Sequence, residues 1–255
     1  MVELLKEEMA SLRSLCKEQI DVALLSCIEG KMGRAWVDRK NSPSIAVVVA
    51  ADFCFLLGCI TKERALVADN FLEKCKGKLV VIEDKSWISL IERHYPNNLT
   101  KMKRYSMKCD FNEYHRNALE KFVKTVEPEY VIEKIGEPLY YKILEDKFMA
   151  DCCSNFASLD DFLKHGIGYA VVQNGEIISA ASSYSYCEGK IDITIGTKEE
   201  FRRKGLALAT ASRLILHCLE RNIYPCWEAA NLHSVALAEK LGYSVNREFE
   251  VFFVS

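Results

Sequence analysis

Three cations, a glycine and a small residue stand together in Arg202-Arg203-Lys204-Gly205-Leu206-Ala207, directly ahead of a helical repeat. That combination is suited to holding a phosphate or pyrophosphate. The first amides of a helix have no intrahelical acceptor, and together with the helix dipole they form an anion site. Gly205 and the small Ala207 let phosphate oxygens approach the backbone, which a large side chain would prevent. Each amide bond to a charged oxygen contributes roughly 1.5–3 kcal/mol, so three or four approach what micromolar affinity requires.

Such a loop works only at a strand-to-helix junction, and the surrounding pattern supplies one. Upstream come three strands with legible turns: Tyr169 to Val172, Ile177 to Ser185 and Ile191 to Thr197, with Asn174-Gly175 as the strongest hairpin signal. Downstream, Leu208, Ala211, Ile215, Cys218 and Leu219 share one face of a helix from about Gly205 to Arg221. Cys226 to Ala229 reads as a strand, Val235 to Leu241 as a short helix closed by Gly242, and Phe249 to Val254 as the last strand. Before them stand a strand at Tyr130 to Ile132 and a helix through Leu139, Ile143 and Phe148. Another helix is capped by Ser158, with Leu159, Phe162 and Leu163 pointing one way.

The amino-terminal half is mixed. Leu5, Met9, Leu12 and Cys16 repeat at helical spacing, and Ile20, Leu24 and Cys27 suggest a second helix. Strands are expected at Ala35 to Val37, Ile45 to Ala50, Phe53 to Leu57 and Leu79 to Ile82, with helices over Glu63 to Cys75 and Trp87 to His94. Lys101 to Lys108 reads as a strand with one solvated basic face. Glu127-Pro128 is the expected boundary, dividing the chain into residues 1–127 and 128–255.

Composition narrows the function classes. With 34 basic and 36 acidic side chains and a formal net charge of -2, the 255-residue chain has no global field to gather nucleic acid or an anionic membrane. The longest apolar stretch, Ser44 to Ile60, is broken by Asp52 and falls short of the ~20 residues needed to span a bilayer. The eleven cysteines show no Cys-x-x-Cys spacing or zinc-ligand pattern and point to a reducing, cytoplasmic setting, with no metal.

The match Arg202, Gly205, Ala207, followed by Asn231, Ser234, Gly242 and Tyr243, resembles the GNAT acetyltransferase superfamily, whose signature is Q/R-x-x-G-x-G/A at the helix that cradles coenzyme A pyrophosphate. The order of elements from Tyr130 to Val254 resembles that fold too. The resemblance implies an α/β (α+β) class: a mixed, mostly antiparallel sheet flanked by helices. A second mixed α/β domain precedes it, either a degenerate copy or an unrelated cap. It implies acetyl-CoA as co-substrate, held by Ile195, Thr197, Arg202, Arg203, Lys204, Gly205, Leu206, Ala207, Asn231 and Ser234.

The same resemblance implies direct transfer from the thioester to an amine of a small molecule, with the amide near Ile195 polarising the carbonyl. The amine must lose a proton. Asp192 is the first candidate base, alternatively an outward polar hairpin residue; Glu228 is the second, alternatively a buried partner for an arginine or backbone group. His233 is a further base candidate or a solvated loop histidine, and Tyr184 and Tyr186 either line the acceptor cleft or fill a sheet face. Where many family members carry a thiolate-protonating tyrosine, seven residues after the motif asparagine, this chain has Ala238. That departure admits a non-catalytic acyl-CoA-binding sensor or structural module.

Overall fold

A computed structural model describes residues 1–16 and 21–255. They form two compact units, one of Met1–Arg104 with Phe249–Ser255, the other of Tyr105–Glu248. The expected division at 127/128 lies inside the second unit. Glu127-Pro128 is a local turn, whereas the chain changes unit within two continuous strands that carry no glycine or proline to mark the passage.

The first unit opens with β1 (Val2–Glu3) and a 3-10 helical segment, Lys6–Leu15, which buries Met9 and Leu12. Next is α1 (Val22–Ile28), capped by Asp21; Ile20 of the expected helix lies outside the described residues. The β-branched and aromatic runs then form β2 (Arg34–Val37), β3 (Ile45–Ala50) and β4 (Phe53–Gly58) as an antiparallel meander. After α2 (Ala65–Leu72), β5 (Leu79–Ile82) runs parallel to β4. α3 (Ile88–His94) precedes β6 (Leu99–Lys108), whose residues 100–103 are exposed on both faces rather than on the one basic face expected. Trp87, Phe71, Leu72, Leu56 and Ile91 lie at the centre of this unit's core.

The second unit continues from β6 with α4 (Glu113–Lys124), β7 (Val131–Lys134), α5 (Glu137–Glu145) and α6 (Leu159–His165). Ser158 caps α6 as expected, accepting from the Asp161 amide at 3.1 Å. Of the apolar residues on α6, however, only Phe162 is buried, and Leu163 is turned to solvent because a seven-residue helix covers the core with one turn face. β8 (Gly168–Gln173), β9 (Glu176–Cys187) and β10 (Lys190–Thr197) form a second antiparallel meander. The expected hairpin at Asn174-Gly175 has both residues left-handed, at φ 51° and 79°.

Helix α7 (Leu206–Glu220) leads to β11 (Tyr224–Ala229), which is parallel to β10 and antiparallel to β6. Pro225 is taken in as the second residue of β11, near the strand start where its missing N–H is tolerated. α8 (Leu232–Lys240) and β12 (Ser244–Val254) finish the chain, β12 beginning five residues before the expected strand and ending beside β5.

Each unit therefore repeats one order: an antiparallel three-strand meander, a helix, and a strand parallel to the meander's third. Of the two expectations for the amino-terminal half, the topology supports the degenerate copy.

Candidate functional site

The candidate phosphate loop is built from the end of β10 outward. Ser179, fully buried on β9, donates to the Gly196 carbonyl at 2.9 Å, and its oxygen lies 2.7 Å from the Thr197 hydroxyl. With the serine proton so used, Thr197 is the donor in the second bond. Lys198 continues the ladder by bonding Ile178, and a 3-10 turn, Glu199–Phe201, carries the chain to Arg202.

Arg203 and Gly205 then both adopt left-handed backbone, at φ 66° and 79°. Alternation of this kind gathers successive N–H groups into a concave anion nest. Gly205 is the N-cap of α7, and the first i to i−4 bond runs from Ala209 to Gly205 at 3.0 Å. The amides of Leu206, Ala207 and Leu208 therefore precede any intrahelical acceptor. A Cβ at Gly205 would stand in open space, so the glycine serves its backbone angle and the clearance above the helix end. Leu206, 2% exposed, anchors the loop in a cluster with Tyr130, Val171 and Ile178.

The three cations divide their roles. Lys204 donates to the Tyr130 hydroxyl at 3.0 Å and lies over the Tyr130 and Phe201 rings; that hydroxyl raises its pKa above the ordinary lysine value. Arg202 donates to the Thr197 carbonyl at 3.4 Å, and its guanidinium carbon lies 6.0 Å from the centre of the Phe148 ring. Arg203 is exposed on the left-handed bend itself. In the first unit, the residue capping α2 is Arg64 with right-handed backbone at φ -92°, so this position of the copy has no nest.

Beyond the loop, β10 and β11 pair at Lys190↔Tyr224, Ile191↔Pro225 and Asp192↔Cys226, and there the ladder stops. β10 runs on to Thr197 and β11 to Ala229, so their ends part. Asp192 stands on the last rung. A bulge in β9 falls here too: Ser185 faces Asp192 and Ser183 faces Ile193, leaving Tyr184 over. Bulges of this kind re-aim side chains beside active sites. The Tyr184 carbonyl accepts from the Asn155 side chain at 3.0 Å, and the Asp192 carboxylate accepts from the Ile193 amide at 3.1 Å.

Glu228 lies two residues past the last rung on β11, half-buried and opposite Ser106 of β6. By strand alternation Asp192, Cys226 and Glu228 share one face, and from a rise of about 3.3 Å and a paired spacing of about 4.8 Å the two acidic residues lie at least about 8 Å apart at the backbone. The candidates further along do other work in the fold. Asn231 caps α8 by accepting from the Ser234 amide at 3.0 Å, and the Ser234 hydroxyl accepts from the Trp227 indole at 3.1 Å. His233 is exposed in the first turn of α8. Tyr186 is buried between Phe156 and His165, its ring stacked on both. Ala238 is fully buried.

The nest, the parting strands and the repeated meander are features of one family, and the comparison decides it. A model of the GNAT acetyltransferase family matches residues 13–252. The chain belongs to the GNAT acetyltransferase family.

Its similarity to a GCN5-related N-acetyltransferase-like protein from Streptococcus suis runs at 31% identity over 99% of this chain and 100% of that one, with a TM-score of 0.88. A Bacillus subtilis (strain 168) relative, Uncharacterized N-acetyltransferase YdfB, is 30% identical over 161 residues, 58% of this chain and 59% of the relative. A tandem GNAT protein from the clavulanic acid biosynthesis pathway shares the fold across 100% of this chain at a TM-score of 0.60 and 12% identity. Two GNAT-like units in succession are thus an arrangement this chain shares with a known fold.

The sequence pointed to the loop residues and both carboxylates but not to Phe148, Ser179, Tyr130 or the β9 bulge. Phe148 and Tyr130 are read there only as apolar positions of a helix and a strand; Phe148 lies in the turn beyond α5 and Tyr130 just before β7.

Proposed function

We propose that the protein is an acetyl-CoA-dependent N-acetyltransferase that moves an acetyl (acyl) group to an amine of a small molecule by direct transfer in a ternary complex. The observation that carries this reading is the left-handed pair Arg203 and Gly205 ahead of α7, set next to the parting of β10 and β11.

The residues fit the co-substrate. The open space above Gly205 and the amides of Leu206 and Ala207 suit the pyrophosphate, with Arg202, Arg203 and Lys204 adding positive charge around it. The β10 backbone at Ile195 and Thr197 lines the way to the parting strands, and Asn231 and Ser234 fix the loop that follows β11. Acetyl-CoA, when bound, supplies an activated acyl thioester. The Ile195 amide then polarises the carbonyl, while Asp192, or Glu228 in its place, accepts the proton of the attacking amine. A thiol with pKa near ~8.5 leaves tolerably as thiolate, so the alanine at 238 slows the reaction without preventing it.

The all-thiol cysteines support a cytoplasmic location, and among the described residues no helix is long and apolar enough to cross a membrane. The near-neutral charge leaves nucleic acid without an attractive field.

The fully buried methyl of Ala238 favours one alternative, an acyl-CoA-binding sensor or structural module without turnover. Incubation with acetyl-CoA and an amine panel separates the two. Release of free thiol, slowed by Asp192→Asn or Glu228→Gln with CoA binding retained, is the expected result. A thermal shift with CoA and no thiol release would support the module, and no shift would defeat both.

A further inference from the structure

Phe148 is 55% exposed, yet it is held in place from several directions. Its amide donates to Asp146 Oδ1 at 2.9 Å, and the Asp146 carbonyl accepts from the Met149 and Ala150 amides at 3.0 and 2.8 Å. The other Asp146 oxygen lies 3.9 Å from Lys198 Nζ, at the end of β10. Met149 next to it is buried at 1% exposure and anchors the turn. A large apolar ring fixed at the surface, rather than left to find cover, marks a contact surface.

Its neighbours say which one. A Cβ built on Gly196 would meet Phe148 Cε1 at 3.2 Å and Met149 Cγ at 3.7 Å, so the ring lies close against the strand at Gly196 and a side chain there would press on it. On its other side stands the Arg202 guanidinium. Any linear ligand with its phosphates in the nest at 203–206 and its far end between β10 and β11 near Asp192 must pass Thr197 and then Gly196. Next to the phosphates, coenzyme A carries its most apolar segment, the dimethyl carbon of the pantoyl group. A coenzyme A that follows this path brings that segment past Gly196 and Phe148 first.

We infer that Phe148, held against Gly196, is the apolar wall of the pantetheine channel and a binding residue for the arm of coenzyme A, separate from the groups that hold its phosphates. The inference rests on the acyl-CoA reading. It predicts a division of affinity that the nest alone would not produce: Phe148 discriminates between ligands that have the arm and ligands that end at the pyrophosphate.

Isothermal titration of the full-length protein with CoA and with 3′-phosphoadenosine 5′-diphosphate, which lacks the arm, tests it. Phe148→Ala is expected to weaken CoA about tenfold, the usual cost of removing a contact aromatic, and to leave the arm-less ligand within about twofold of wild type. Phe148→Leu should fall between. Gly196→Ala, which drives a methyl against the ring, should weaken CoA in the wild-type background and add little in the Phe148→Ala background. Unchanged CoA affinity in Phe148→Ala, or equal weakening of both ligands, overturns the inference. If the wild-type protein binds neither ligand, the acyl-CoA reading fails and the inference with it.

Discussion

Asp192 combines three local circumstances: the last rung between β10 and β11, a bulge on the neighbouring strand, and a carboxylate oxygen bonded to the next residue's amide. None of these is written in the residue type, so the sequence ranks Asp192 first and Glu228 second without the geometry that distinguishes them. Register separates them, putting Asp192 at the fork and Glu228 beyond it. Substituting the true base by its amide should lower kcat/KM by about 10²–10⁴ with CoA affinity kept, measured by thiol release beside titration.

A second residue-scale expectation concerns His217 of α7, whose Nδ1 lies 2.6 Å from the Tyr169 hydroxyl. Burial, then the charges of Arg221, Lys134 and Arg213, hold its pKa below the ordinary histidine value. The folded chain thus binds this proton less readily than the unfolded one. Stability is complete above the unfolded value of about 6.5 and declines as pH falls through it toward the lower folded value. Thermal melts at pH 7.5 and 5.5 should show a drop that His217→Gln reduces.

Among the elements, the strand-to-helix junction at 202–207 was the most legible, since clearance at a helix end demands small residues and Gly205 and Ala207 supply them, whereas the left-handed bend at Arg203 has no residue type to announce it. The β9 bulge was not. Small residues such as Ala180, Ala181, Ser182 and Ser183 alternate without contrast, so period 2 cannot reveal where one residue is skipped. Gly205→Ala tests the loop: left-handed alanine costs about 1 kcal/mol, a modest loss of Tm, whereas CoA affinity should fall much further because the methyl enters the space above the helix end. Asn231→Ala tests the cap of α8. It should cost about 0.5–2 kcal/mol in urea denaturation, with Asn231→Asp close to wild type.

For the whole molecule, the sequence places a boundary at 127/128, whereas the passage between the two compact units occurs inside β6 and again inside β12. A strand continuing from one unit to the next has no glycine or proline to announce it. The last residues are integral to the first unit's core: Val251 and Val254 are fully buried, and Phe252 pairs with Val80. Phe252→Ala should destabilise the protein by about 3–5 kcal/mol in denaturant melts.

This threading also fixes an order of events at the ribosome. The amino-terminal unit emerges first but lacks the β12 segment of its sheet until the residues after Glu248 have been translated. Through most of synthesis it carries an unpaired β5 edge, the surface on which nascent chains mispair. The second unit ends at Glu248, so of the two units the amino-terminal one is the last to have all its residues translated.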